Sequence, residues 1–177
     1  MNSILSNKTI VFTITSGRTG TTLLTNLLAT LPDTKSTHKP DPGFHEVMRS
    51  AQNNPFEFVH FWDRKLKQLA VHKETVYVET SNVFSKGFLQ TLLRLKVIPK
   101  LIFLNRSPRK IALSLLSRNS IPGKTSNGLK YSVSPNDPIS LPLLGNHWSD
   151  YQRCYWAAID SLFKQDYIKL FYTPKLG

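Results

Sequence analysis

The stretch Thr9-Ile10-Val11-Phe12-Thr13-Ile14-Thr15-Ser16-Gly17-Arg18-Thr19-Gly20-Thr21-Thr22-Leu23-Leu24 passes from β-branched and aromatic residues, through two glycines, into a leucine-rich segment. Its first seven residues predict a buried strand, since such side chains fit a pleated sheet covered on both faces. Leu23, Leu24, Leu27, Leu28 and Leu31 recur at helical spacing and predict a helix that ends at Pro32-Asp33. Strand, glycine-bearing turn and helix make half of a βαβ unit.

The pattern returns downstream without repeating in sequence. Thr75 to Thr80 predicts a strand, with a helix over Phe84 to Leu95 after it. Lys100-Leu101-Ile102-Phe103-Leu104-Asn105 predicts a continuous apolar strand of the parallel-sheet type. A helix follows to about Ser117, with Ser107 as N-cap and Pro108 at its first position. Asp150 to Phe163 predicts a helix, and Tyr167 to Tyr172 a last strand. Alternating strands and helices imply an α/β fold: a three-layer parallel β-sheet with helices on both faces. Two segments stand apart as loops. Thr37 to Gly43 is one by its prolines, and Ser120 to Gly145 is long, proline-rich and without periodicity.

At 177 residues the chain has the size of one domain, 1–177, with no internal boundary. Hydrophobic residues at 40% and charged residues at 19% exclude collagen-like, coiled-coil and disordered classes. The net charge of +12 points to an anionic partner. The lone Cys154 forms no internal disulfide, Met1 to Asn7 is polar, and no apolar run is long enough to span a membrane. The expectation is a cytoplasmic protein with no transmembrane segment. Basic clusters such as Arg64-Lys65-Leu66-Lys67 come without a nucleic-acid recognition pattern. They read as solvated helix faces, and no nucleic-acid partner is expected.

The first turn carries its own chemistry. Glycines between a strand and a helix aim backbone N–H groups outward at the positive end of the helix dipole. Thr19, Thr21 and Thr22 add hydroxyls and Arg18 a planar cationic fork, a set suited to a phosphate-like anion. The Walker A pattern fails because no Lys follows the second glycine. The dinucleotide fingerprint fails for want of a third glycine.

Thr15 to Leu24 resembles the 5′-phosphosulfate-binding loop of sulfotransferases that use 3′-phosphoadenosine 5′-phosphosulfate, in the Arg-containing form of bacterial and Golgi-type members. Leu101 to Pro108 strengthens the likeness. Arg106 ends a strand and Ser114 lies eight residues on, as in that family's 3′-phosphate site. The resemblance implies a P-loop NTPase-like fold and a metal-free sulfuryl transfer from this donor to a small-molecule, glycan or peptide acceptor. By the same resemblance, Gly17, Arg18, Thr19, Gly20, Thr21 and Thr22 hold the 5′ end of the donor. Arg106 and Ser114 hold its 3′-phosphate, and Arg18 also meets charge on the bridging oxygen.

The family's glutamate base falls here on Lys39, within Ser36-Thr37-His38-Lys39-Pro40. That leaves His38 as the candidate base, with His45 and Glu46 in reserve. Glu79 falls in a segment that resembles the family's acceptor-lining strand end. Members continue into a basic, glycine-containing loop over the adenosine, whereas this sequence ends at Pro174-Lys175-Leu176-Gly177 and reads as C-terminally short. The rival readings are a catalytically inactive donor-binding relative and a basic nucleic-acid-binding domain.

Overall fold

The computed structural model describes residues 5, 7–54, 56–142 and 147–172. Its elements in order are β1 (Thr9–Thr15), α1 (Thr21–Leu28), β2 (Thr34–His38), α2 (Phe44–Asn53), α3 (Phe56–Val71), β3 (Val76–Thr80), α4 (Phe88–Arg94), β4 (Lys100–Leu104), α5 (Pro108–Leu116), α6 (Ser126–Tyr131) and α7 (Asp150–Tyr172). The four strands pair in the order β2-β3-β1-β4, every pair parallel. The two common doubly wound arrangements set the first two strands side by side; here β3 lies between them.

Side chains alternate across the sheet and so assign each face its helices. Ile10, Phe12 and Ile14 of β1 share a face with Tyr77 and Glu79 of β3. That face meets α2, α3 and α4 in the main core, where Phe12 stacks on Phe84 at 4.3 Å and lies edge-on to Trp62 at 5.7 Å. On the other face Thr80 Oγ1 reaches Thr25 Oγ1 of α1 at 2.6 Å. The sheet therefore has helices on both sides. α5 and α7 pack on each other through Ile111, Ala112, Leu115, Cys154 and Ala158.

Four expectations change. Thr37 and His38, read as the start of a loop, close strand β2. The helix read as starting at Phe84 starts at Phe88, after Gly87 with φ +100. The long loop holds α6, which Thr125 caps by accepting from the Gly128 N–H, while 143–146 lie outside the described residues. Tyr167 to Tyr172, read as a strand, is the last turn and a half of α7. Its β-favouring composition yields to packing: Ile168 enters the main core, and the Tyr172 hydroxyl donates to the Pro99 carbonyl. Pro174 to Gly177 are likewise outside the described residues. No helix among the described residues is long and apolar enough to cross a membrane.

Candidate functional site

The turn from β1 to α1 is wound tightly by residues in left-handed conformation. Gly17, Arg18 and Gly20 have φ of 82, 57 and 94°. The φ of Gly17 favours glycine, and a Cβ there would also meet the Asn82 side chain at a tight 3.2 Å. Arg18 pays a strain that glycine would not, which marks a conformation imposed by its surroundings. Thr15 and Thr19 hydroxyls bond across the turn at 2.5 Å. No side chain caps α1, and its first helical bond runs from Leu24 N–H to the Gly20 carbonyl. The N–H groups of Thr21 to Leu23 therefore have no partner within the helix.

Beside this turn lies a cavity of about 470 Å³. Ser16, Gly17, Arg18, Thr21 and Thr22 form one wall, and His38 and Lys39 at the end of β2 form another. Leu115 of α5 and Arg118 and Ser120 just after it close the cavity, with Asn127, Tyr131 and Ser132 from α6 and its flank. Among the described residues no aspartate or glutamate lines it, and Leu115 is the one aliphatic side chain.

Electrostatics within the cavity are one-sided. Burial and the charges of Arg118 and Arg106 lower the Arg18 pKa. Burial and the charges of Arg18 and Lys130 lower that of Lys39. These groups repel one another across a space that holds no carboxylate, the condition that an anion relieves.

Of the residues picked from sequence, Gly17, Arg18, Thr21, Thr22 and His38 line the cavity. Thr19 and Gly20 shape the turn. Arg106 and Ser114 do not stand together as a separate pair: both converge on Arg18. The Arg106 guanidinium donates to the Arg18 carbonyl at 2.6 Å, and Arg18 Nε donates to Ser114 Oγ at 3.0 Å. The first residue of the turn to carry charge is thus braced on its backbone by the β4–α5 junction and on its side chain by α5.

His38 is oriented by a hydroxyl relay. Thr25 Oγ1 donates to the Thr21 carbonyl at 2.9 Å, so it accepts from Thr80 Oγ1 at 2.6 Å. The Thr80 proton is thereby committed, and Thr80 accepts from His38 Nδ1 at 2.8 Å. Nδ1 carries the proton, and Nε2 is left with the lone pair. Burial and then the Lys39 charge lower the His38 pKa below its ordinary 6.5, against the opposing pull of the Thr80 backbone. The imidazole is neutral at pH 7.

The reserve residues are otherwise engaged. Glu46 accepts from the Gly43 N–H and caps α2. His45 lies against Tyr131, ring centroids 5.1 Å apart and planes tilted by 36°. Glu79 does not line an acceptor side; it lies fully buried on the opposite face of the sheet, 2.8 Å from Lys65 Nζ. Lys65 is accordingly no solvated helix charge. It is fully buried and also donates to the Pro42 carbonyl at 2.9 Å and the Pro40 carbonyl at 3.3 Å. This holds the loop that carries Lys39 against α3.

Sequence reasoning missed Arg118, Asn82 and the α6 residues. Arg118 had a signal, standing one helical turn beyond Ser114 on the same face. Asn82 had none, since its place follows from packing on Gly17. No family model, curated protein or solved structure matches this chain.

Proposed function

We propose that the cavity binds 3′-phosphoadenosine 5′-phosphosulfate and passes its sulfuryl group to an acceptor hydroxyl or amine. One observation carries this reading: a cavity at the N-terminus of α1 whose charged lining residues, Arg18, Lys39 and Arg118, are all cations, with Arg106 and Ser114 outside that lining but bonded to Arg18. Strand order and the position of the turn after β1 support a P-loop class of fold as its frame.

The Thr21 to Leu23 N–H groups, the Thr21 and Thr22 hydroxyls and the Arg18 fork hold the 5′-phosphosulfate. Arg18 meets the charge that develops on the bridging oxygen as the sulfur–oxygen bond breaks. Arg106 keeps further N–H groups beyond the one given to the Arg18 carbonyl, and Ser114 keeps its own proton. Both are available to the 3′-phosphate. His38 Nε2 takes the proton from the acceptor as its oxygen or nitrogen bonds to sulfur, and adenosine 3′,5′-bisphosphate leaves.

The test is release of adenosine 3′,5′-bisphosphate from the donor in the presence of a panel of hydroxyl and amine acceptors. His38→Gln is expected to lower kcat by about a hundredfold or more, the usual scale for a general base. Because the neutral imidazole is the active form, wild-type turnover falls as pH drops through a His38 pKa below 6.5. A rate indifferent to His38→Gln removes His38 as base. Nucleotide binding with no transfer to any acceptor favours the inactive donor-binding relative, in line with Lys39 at the place of the family's glutamate.

A further inference from the structure

Lys86, in the turn between β3 and α4, is buried without a counter-charge of its own. It is 2% exposed, and its Nζ donates to the Tyr131 carbonyl at 2.6 Å. Asn82 Nδ2 donates to the same carbonyl at 2.7 Å. Tyr131 and Asn82 both line the cavity, so Lys86 stands directly behind its wall. The two acids that act on it are committed elsewhere. Asp160 pairs with Lys164 and accepts from the Leu141 N–H at 2.8 Å. Asp137 pairs with Arg49 and accepts from the Ser134 N–H at 2.7 Å. Lys164 on α7 and Lys39 just after β2 oppose a charge on Lys86, and residues 81–87 hold no other titratable side chain. A buried ammonium in such surroundings is costly. Burial first, then the Lys164 charge, bring its pKa from the usual 10.5 down to about 7.

We propose that Lys86 is the proton-linked cation of this cavity: it is neutral while the cavity is empty and takes a proton from solvent when an anion binds. This rests on the anion-binding reading above and adds to it a residue outside the cavity lining. The amine is out of water, so a negative charge across the wall acts on it with little screening and favours its charged form. The neutral amine donates one hydrogen to the Tyr131 carbonyl, and the ammonium donates a stronger one. A bound anion thereby tightens the hold on Tyr131 and the end of α6. Proton uptake sets the sign of the pH dependence: anion affinity falls as pH rises above about 7, where the proton that charges Lys86 becomes scarcer.

Calorimetric titration with adenosine 3′,5′-bisphosphate, and separately with inorganic sulfate, is run at pH 7.5 in buffers of different ionisation enthalpy. The slope of binding enthalpy against ionisation enthalpy counts protons. About half a proton or more is expected to be taken up per anion bound, because an amine with a pKa of about 7 is mostly neutral at pH 7.5. Lys86→Met is expected to lose most of that uptake. Lys86→Gln, which keeps an N–H donor without a titrating group, is expected to lose it too and guards against a folding defect in the Met variant. Without ligand, the wild type is expected to gain about tenfold or more in its folding constant over Lys86→Met between pH 7 and pH 9. The reason is that the unfolded chain holds the lysine proton there and the fold does not. Uptake undiminished by both substitutions belongs to His38 or Lys39 and overturns the inference. Zero uptake with both anions overturns it, as does a stability difference indifferent to pH. Sulfate binding with uptake, while the bisphosphate fails to bind, counts against the donor reading alone. Binding of neither anion overturns both.

Discussion

Arg18→Ala is expected to weaken adenosine 3′,5′-bisphosphate binding by about 1.5–3 kcal/mol, roughly ten- to a hundredfold, without loss of stability in the free protein. The binding loss follows from removing the one side chain of the turn that offers a charged, two-pronged donor. The unchanged stability follows from what surrounds it. Arg18 is held near Arg118 and Arg106, whose charges depress its pKa, so its removal relieves repulsion in the empty cavity. The bond from Arg106 survives because it ends on the Arg18 backbone carbonyl. Ser114 loses a partner but is only half-buried and is free to meet water. Calorimetric titration and a thermal melt on the same sample measure both quantities. A large fall in melting temperature with affinity intact would make Arg18 a strut of the fold.

Lys65→Met carries the opposite signature, with a large effect on folding. Lys65 and Glu79 are 1% and 0% exposed and 2.8 Å apart, beneath Phe44 and Phe61. Taking one member away leaves the other charge uncompensated in the core, an effect of about 3–5 kcal/mol. Glu79 Oε1 already lacks a partner, and burial raises its pKa to about 7 even with Lys65 in place. Without Lys65 the carboxyl takes up a proton more readily, so the full loss is expected only well above pH 7. The same substitution frees the Pro40 and Pro42 carbonyls, so the loop behind Lys39 loses its tie to α3. Adding Glu79→Gln to Lys65→Met is expected to restore a substantial part of the stability, because Gln still accepts from the Tyr77 hydroxyl and carries no charge. Denaturant unfolding of the two single variants and the double variant measures the coupling. A Lys65→Met loss below about 1 kcal/mol, the ordinary range of a surface pair, would contradict the buried-pair assignment.

The elements legible in the sequence are those specified locally. β1 announces itself by an unbroken β-branched and aromatic run, the turn by glycines that occupy left-handed conformations, and α5 by Pro108 at its first position. α3 carried a legible helical stripe too, with Phe58, Phe61, Trp62, Lys65, Leu66 and Leu69 buried at spacings of three and four. The lysine within that stripe disguised it as a charged face. β2 was hidden for a different reason. Thr34–His38 is a polar strand at the edge of the sheet, and its place is set by pairing with β3.

At the site, the sequence named the turn that lines the cavity, and also Arg106 and Ser114. Their mutual arrangement depends on contacts 88 and 96 residues apart, which spacing does not report. The α7 end shows the limit from the other side. A segment composed like a strand stays helical where burial of Ile168 rewards the helix.

The nucleotide preference of the cavity is the most direct test. Thermal shift and calorimetry with adenosine 3′,5′-bisphosphate, AMP, ADP and ATP with Mg²⁺ decide it in one series. The 3′-phosphorylated nucleotide is expected to stabilise the protein most, since on the proposed function Arg106 and Ser114 donate to a phosphate that the other three lack. Greater stabilisation by ATP with Mg²⁺ would contradict it and make the cavity that of a nucleoside triphosphate enzyme.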